Sequence, residues 1–411
     1  MQKSEAAAIH MQQIFEDITF LFSNFEKLEK VSLEKPDIIF SDNSVNFLNL
    51  LSIDLLKNPY IRQYPDVLTF AFFCRKANIL KLKQNYLSDI INIGRGVIFH
   101  VAPSNVPVNF AYSMVVGILS GNSNIVKVPS KEYFQIKLIC DSINNVVLKN
   151  SHEKIYSNLF IIKYNNQDSI TDYLSSLADI RIIWGGDKTI SQIRKSAIPA
   201  RSFDVTFADR YSFAIINADE YVNAKDLNKI AHDFYNDTYL FDQNACTAPH
   251  LVIWIGNNEN VKIARKLFWN NLDQSLINYP LQADIAINKL NALIKQGIEI
   301  GNITREQPLN NKLWRVLMSE LNSDLDQYRC AGGFFHEYIS SSFNEIEKIV
   351  NRKYQTLSYY GFEKNYLKEK IRELKLNGID RVVPIGSTTN FDLHWDGYDL
   401  IHTLSRVCKI I

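Results

Sequence analysis

The sequence predicts an α/β protein: a doubly wound parallel sheet, preceded by helices and followed by a second α/β region. Three observations carry this reading. From Gly96 onward, short β-rich runs alternate with helical stretches; the strand pattern starts afresh near Tyr211; and 411 residues exceed what one hydrophobic core usually serves.

The elements follow in order. Between Ile14 and Asn92 apolar residues recur at helical spacing, as in Phe20, Leu21, Phe25 and Leu28 and again in Val67, Phe70, Ala71 and Cys74, so a helical N-terminal region is expected. Strands are expected at Gly96–Val101, Asn124–Val128, Leu159–Ile162 and Asp179–Trp184. Helices are expected between them at Val108–Leu119, Tyr133–Leu148 and Ser169–Leu177. This βαβ alternation belongs to a parallel sheet, which binds ligands at the carboxyl ends of its strands. The second region opens with the strand Tyr211–Ile216. It includes the apolar run His250–Ile255 and charged helices around Asn344–Arg352 and Glu363–Leu376. No repeat or Pro/Gly/Ser linker marks a border. The renewed strand pattern therefore places two domains at residues 1–210 and 211–411.

Composition narrows the function. The 45 Lys+Arg and 44 Asp+Glu leave a net charge of +1, so no overall field points to nucleic acid or an anionic membrane. Met1–Ile14 carries Lys3, Glu5 and His10, which does not read as a secretory leader. The apolar stretch Val108–Leu119 is too short to span a bilayer and reads as a buried helix. The cysteines Cys74, Cys140, Cys246, Cys330 and Cys408 are odd in number, scattered and without a CxxC pair. Neither a disulfide framework nor a metal site is expected, and the reducing cytoplasm is the expected compartment.

Two places hold residues suited to chemistry. Cys246 lies in Asp242-Gln-Asn-Ala-Cys-Thr-Ala-Pro249, small and polar, between a helical pattern and an apolar strand. There a thiol can be exposed and its pKa lowered by nearby amides, although most lone cysteines are simply small buried apolar residues. Asn105, in His100-Val-Ala-Pro-Ser-Asn-Val-Pro-Val-Asn109, sits at the carboxyl end of the first sheet strand between prolines. Its amide can donate to a developing oxyanion, or it can stabilise a turn or cap the next helix.

Four segments, in this order, carry a resemblance: Gly94-Arg-Gly-Val-Ile-Phe-His-Val-Ala-Pro-Ser-Asn-Val-Pro107, Ile183-Trp-Gly-Gly-Asp187, Gln243-Asn-Ala-Cys-Thr-Ala-Pro249 and Trp395-Asp-Gly397. They resemble the LuxC-type acyl-CoA reductases, a branch of the aldehyde dehydrogenase superfamily, from about Gly94 to the C-terminus. The resemblance implies an aldehyde-dehydrogenase-like fold, with the nicotinamide-cofactor domain in residues 1–210 and the nucleophile-bearing domain in 211–411. It also implies a reaction: the Cys246 thiolate attacks an acyl thioester, Asn105 and the Cys246 backbone N–H hold the oxyanion, and coenzyme A or another thiol carrier leaves. Hydride from the cofactor then gives the aldehyde.

For the cofactor, Lys127 matches the superfamily lysine that reaches the adenosine ribose. Ser130, with Lys131 beside it, stands where NAD-preferring relatives carry a glutamate, which favours NADPH. Gly185-Gly186 matches the turn that opens a helix under the pyrophosphate, and Glu337 is the candidate contact to the nicotinamide ribose. Hydrolytic relatives place a general-base glutamate where this chain has Phe207, so water attack on the acyl-enzyme is expected to be slow. Asp209 is either a displaced base or an exposed turn residue. The ending His394-Trp-Asp-Gly397 reads as closing a cleft or a subunit contact. A homo-oligomer and an acyl-activating synthetase as partner are further implied.

Two other readings stay open. An acyl-phosphate reductase of the same fold needs an anion site near Cys246, and no Arg or Lys cluster lies within ten residues of it in sequence. A non-catalytic relative serving as a scaffold is disfavoured because Cys246, Asn105 and Lys127 occur together.

Overall fold

A computed structural model describes residues 16–150, 153–300 and 303–410. The chain divides into two units: the residues up to Ala208 together with those from Tyr398 onward, and Asp209–Gly397.

The first unit holds β1 (Thr19–Phe22), β2 (Ile91–Gly94), β3 (Val97–Val101), β4 (Ser123–Lys127), β5 (Leu159–Lys163), β6 (Ile180–Trp184) and β7 (Phe203–Phe207). Six of these strands form one sheet in the order β1-β5-β4-β3-β6-β7. β3 to β7 run parallel, with Val101 level with Lys127 on one side and with Ile183 on the other. Helices Asn109–Leu119, Phe134–Asn150, Asp168–Leu177 and Asp187–Ile193 fill the crossovers. Every residue of β3 and of β6 is buried, as expected of a parallel sheet covered on both faces. Strand order reverses between β3 and β6, which makes the carboxyl ends of these two strands the natural ligand crevice.

Two expectations are corrected in this unit. Thr19–Phe22, read as helical, is an edge strand antiparallel to β5. The run Thr-Phe-Leu-Phe suits a strand, and Ser23 at φ 67° then turns the chain into the short helix Phe25–Leu28 capped by Asn24. The segment after Tyr398, assigned to the second domain, belongs to the first unit. Strand Ser405–Cys408 pairs antiparallel with β2, Arg95 Nε donates to the Thr403 carbonyl (3.1 Å), and Asn122 Nδ2 donates to that of Leu404 (2.9 Å).

The second unit holds β8 (Tyr211–Asn217), β9 (Pro249–Ile255), β10 (Ile303–Asn310), β11 (Leu313–Met318), β12 (Phe334–Ser340), β13 (Tyr354–Tyr360) and β14 (Arg381–Pro384). They form one sheet, β10-β11-β12-β9-β8-β13-β14, parallel except for the β10–β11 pair. Side chains alternate between its faces. Ala214, Ile216, Val252 and Trp254 pack on one side with Phe268 and Trp269. Phe213, Ile215, Leu251 and Ile253 pack on the other with Leu357 and Leu367. The charged helix expected at Asn344–Arg352 is only the 3₁₀ turn Phe343–Lys348, because Phe343, Ile346 and Ile349 are buried at a spacing of three.

Among the described residues no helix is long and apolar enough to cross a membrane, and no group of His, Cys, Asp and Glu is arranged to hold a metal ion.

Candidate active site

In the second unit, helix Leu227–Thr238 runs into a 3₁₀ turn, Tyr239–Phe241, and then into Asp242 and Gln243, both left-handed (φ 51° and 60°). Such backbone costs about 1–3 kcal/mol per residue and persists only where its surroundings fix it. They do so here. Buried Gln243 accepts from the N–H groups of Gly333 (2.9 Å) and Phe334 (3.1 Å) and donates to the carbonyls of Pro249 (2.9 Å) and Phe334 (3.2 Å). Asp242 accepts from the Tyr279 hydroxyl at 2.6 Å. The loop is thereby stapled to β12, and Cys246 occupies the turn just before β9.

The backbone of Cys246 is fixed by Ser212 at the start of β8. Its hydroxyl donates to the Cys246 carbonyl (2.7 Å) and accepts from the Thr356 N–H of β13 (3.2 Å). Next to Thr356, buried Gln355 donates its amide to Asp396 Oδ1. Arg210 lies 4.0 Å from the other Asp396 oxygen and is anchored by Asp380 and by the carbonyls of Lys353 (3.2 Å) and Tyr354 (2.7 Å). Arg381 donates to the carbonyls of Thr388 (3.0 Å) and Asn390 (2.8 Å) and lies 4.3 Å from the Trp395 ring centre. Buried Asp237 accepts from the N–H groups of Gly386 (2.7 Å) and Thr388 (2.9 Å), which fixes the loop that Arg381 holds.

The thiol is not activated in the way the sequence implied. Burial, and after it the Asp396 carboxylate, push the Cys246 pKa up to about 12; Gln355 and Arg210 act in the opposite direction. Cys246 precedes a strand rather than a helix, so no helix N-terminus favours its thiolate. The cluster also sits at the amino ends of β8, β9 and β13, opposite to where parallel sheets commonly bind ligands.

In the first unit the candidate cofactor residues line the carboxyl ends of β3, β4 and β6. Asn105 is exposed in the loop between β3 and helix Asn109–Leu119; that loop is tied down by the Tyr133 hydroxyl, which donates to the Ser104 carbonyl (2.5 Å). Lys127 closes β4 half-buried, its Nζ 4.7 Å from the Tyr164 ring centre, and burial lowers its pKa. Ser130 is exposed and donates to the Tyr164 carbonyl (3.4 Å), while Lys131 projects over Tyr133 at 5.2 Å. Gly185 N–H donates to the Phe207 carbonyl (3.1 Å), and Gly186 caps helix Asp187–Ile193 with open space around it.

Compared with known families, residues 79–408 match the acyl-CoA reductase (LuxC) family. This chain belongs to the LuxC family. Among its relatives, the long-chain acyl-protein thioester reductase of Aliivibrio fischeri is 26% identical over 307 residues, covering 72% of this chain and 60% of that protein. The protein of the same name from Photorhabdus luminescens is 25% identical over 324 residues, covering 77% and 63%. This LuxC-family chain thus spans about three-fifths of the length of the curated relatives it matches.

Solved structures show an aldehyde dehydrogenase fold. The lactaldehyde dehydrogenase of Escherichia coli superposes with a TM-score of 0.61 at 13% identity, over 89% of this chain and 85% of that one. The glyceraldehyde-3-phosphate dehydrogenase of Methanocaldococcus jannaschii, solved in complex with NADP, gives 0.58 at 12%, over 89% and 88%.

Within this LuxC-family chain, one predicted site residue is out of place. Glu337 is fully buried on β12, where it accepts from Trp254 Nε1 (2.9 Å), Trp269 Nε1 (2.7 Å), Arg265 Nε (2.9 Å) and Arg315 (3.3 Å). Its oxygens are occupied and face the helical layer, so the expected ribose contact is corrected to a structural role. Asp209 is likewise engaged, forked onto Arg329 (2.6 and 2.7 Å), which leaves the displaced-base reading without support. Phe207 stacks on Trp184 with ring centres 3.7 Å apart.

Sequence reasoning missed Ser212, Gln355 and Arg210 and left the Trp395-Asp396-Gly397 signature without a role at the thiol. Their signal was a position at the first residues of strands, visible only once those strands are known to be neighbours. It also counted no cations near Cys246, whereas Arg210 and Arg381 both act on it in space. Both arginines already donate to chain groups, so they do not amount to a free anion site.

Proposed function

We propose that this LuxC-family chain reduces an acyl thioester to the aldehyde with NADPH, carrying the acyl group as a thioester on Cys246. The observation that carries the reading is the placing of Cys246: a partly buried cysteine in a stapled turn, its carbonyl held by the Ser212 hydroxyl, inside the region that matches the family. In acyl transfer the Cys246 sulfur bonds to the carbonyl carbon and the carbon–sulfur bond to the carrier breaks. Cys246 gives up one proton and the departing thiolate takes one up. Asn105, exposed at the carboxyl end of β3, is the proposed side-chain donor to the developing oxyanion.

A dinucleotide fits the first unit. Half-buried Lys127 lies over the Tyr164 ring, with no carboxylate partner among the described residues, at the carboxyl end of β4, the strand next to β3. An uncompensated, half-buried cation beside the crevice suits ribose hydroxyls or a phosphate. Lys127, Ser130 and Lys131 would hold the adenosine end, with Gly185 and Gly186 under the pyrophosphate. When bound, the cofactor supplies the hydride that reduces the Cys246 thioester. The tetrahedral adduct then collapses, expelling the Cys246 thiolate and freeing the aldehyde; one proton from solvent restores the thiol.

The relatives named above point to a long acyl chain on a protein thiol as the first donor to test, with acyl-coenzyme A as the second. An acyl-activating synthetase as supplier, a homo-oligomeric assembly and a cytoplasmic setting belong to the same reading. Intact-mass spectrometry after incubation with acyl thioesters of graded length, without cofactor, tests it. The protein gains the mass of one acyl group and Cys246→Ala does not. Stoichiometric acylation of a folded Cys246→Ala variant, with turnover, would overturn the assignment.

A further inference from the structure

Ser212 takes no part in the bond-making above, yet its side chain joins Cys246 to the sheet. Resting on the reading of Cys246 as nucleophile, we infer that Ser212 is a positioning residue for acyl transfer: its hydroxyl holds the peptide that follows the thiol, so that the Cys246 sulfur and N–H meet the acyl carbonyl in one fixed arrangement.

The backbone ladder is irregular at this place. From Ser212 to Phe213 of β8, the partner on β9 advances by two residues, from Pro249 to Leu251. From Tyr211 to Phe213, the partner on β13 advances by three, from Tyr354 to Leu357. Each neighbour of β8 therefore carries one residue too many beside Ser212. Bulges of this kind bend a strand and re-aim its side chains, and they are rare between parallel strands. The Ser212 side chain bridges the gap: it accepts from the Thr356 N–H (3.2 Å) and donates to the Cys246 carbonyl (2.7 Å). Neither bond can be reversed, because an amide N–H only donates and a carbonyl only accepts. Ser212 is fully buried, so both partners are met away from bulk water.

The carbonyl it holds is the one that decides the shape of the turn. Ala248 N–H donates to the Ala245 carbonyl (3.0 Å), which places Cys246 and Thr247 at the two central positions of a β-turn. The peptide between them is the one that inverts between the two common turn types, and its oxygen is the Cys246 carbonyl. Inversion would point that oxygen away from Ser212 and release the turn from β8. It would also require a left-handed Thr247, which a β-branched side chain resists, and Thr247 is not left-handed here. Ser212 from outside and Thr247 from within thus guard one peptide.

At the other end of Cys246, no backbone carbonyl among the described residues takes its N–H. The residue is gripped by its carbonyl while its N–H stays open, as an oxyanion donor requires. A misplacement of about 1 Å at a reacting group can cost a hundredfold in rate, so a grip on the nucleophile's own peptide bears directly on turnover.

The test compares two reactions of the same thiol in the full chain without cofactor, each followed against time on the Cys246 peptide by mass spectrometry. One is acylation by hexadecanoyl-coenzyme A; the other is alkylation by iodoacetamide. Acyl transfer needs the sulfur and the N–H together, whereas alkylation builds no oxyanion. Ser212→Ala should slow acylation about ten- to a hundredfold and leave alkylation unchanged or faster. Ser212→Thr, which keeps the hydroxyl, should restore most of the acylation rate. Acylation of Ser212→Ala at the unmodified rate would overturn the positioning role. So would equal slowing of both reactions, or a folded Ser212→Thr variant as slow as Ser212→Ala. Thermal unfolding checks each variant. If Ser212→Ala does not fold, Ser212→Cys, close in volume and only a weak donor, takes its place with the same slowing expected. An unmodified protein that takes no acyl group would instead overturn the nucleophile reading, which keeps the two failures apart.

Discussion

Glu337 Oε2 accepts the indole N–H of Trp269 at 2.7 Å and that of Trp254 at 2.9 Å, so a single carboxylate ties β9, β12 and helix Asn258–Ser275 together beneath the sheet. Removing it leaves Arg265 and two buried indoles short of a partner. Glu337→Ala should lower the free energy of unfolding by about 3–5 kcal/mol, the usual cost of breaking a buried ion pair from one side. Denaturant unfolding measures this. Cofactor affinity of the folded fraction should not change, and a tenfold loss in a calorimetric titration would return Glu337 to the cofactor site.

Asn105→Ala should lower the turnover number by about 10²–10³ with little change in cofactor affinity, as for removal of one oxyanion donor. Steady-state kinetics on a variant with unchanged thermal unfolding is the measurement. A loss below about threefold would leave Asn105 as a turn residue.

NADPH should be favoured over NADH by roughly tenfold or more in kcat/KM, since one charge-assisted hydrogen bond to the 2′-phosphate suffices for that factor. The nearest acid after β4, Glu132, is turned to Lys163 at 3.7 Å, which leaves Ser130 and Lys131 facing outward. Ser130→Glu should erode or reverse the preference through like-charge repulsion. Equal efficiencies with both cofactors in the unmodified protein would show that these side chains do not face the ribose.

Burial raises the Asp237 pKa to about 6, against an ordinary value near 4. Between those values the folded protein binds more protons at this site than the unfolded chain does. Stability from Asp237 therefore falls as pH rises from about 4 to about 6, and the cost is fully present above that. The variant Asp237→Asn does not titrate. The melting temperature of the unmodified protein, relative to this variant, should decline across the window; a flat difference would show that Asp237 ionises as readily folded as unfolded.

The parallel core was legible because β3, β4, β5 and β6 are short continuous apolar runs separated by helical stretches, and Cys246, Asn105 and Lys127 were singled out as candidates through their segments. What escaped is what depends on neighbours. Thr19–Phe22 looks helical by spacing, and only the free edge of β5 makes it a strand. Glu337 reads as a conspicuous acid after two glycines, but alternation along β12 decides which face it meets, and that face carries Trp254, Trp269 and Arg265. Gln355 and Asp396 stand 41 residues apart, in contexts that show no chemistry until β13 and the segment before Gly397 are folded together.

The return of the chain after Tyr398 to the first unit has a consequence for biosynthesis. β2 gains its partner strand, and the Asn122 amide its carbonyl at Leu404, only when that stretch has left the ribosome, by which time all of Asp209–Gly397 has been made. Domains usually fold in the order in which they emerge, whereas here the last strand of the first unit is made after the whole of the second. A fragment ending near residue 208 would keep β2 as a bare edge with unmet backbone groups, a template for aggregation. The first unit is therefore best expressed on its own with the residues from Tyr398 onward joined back to it by a short linker.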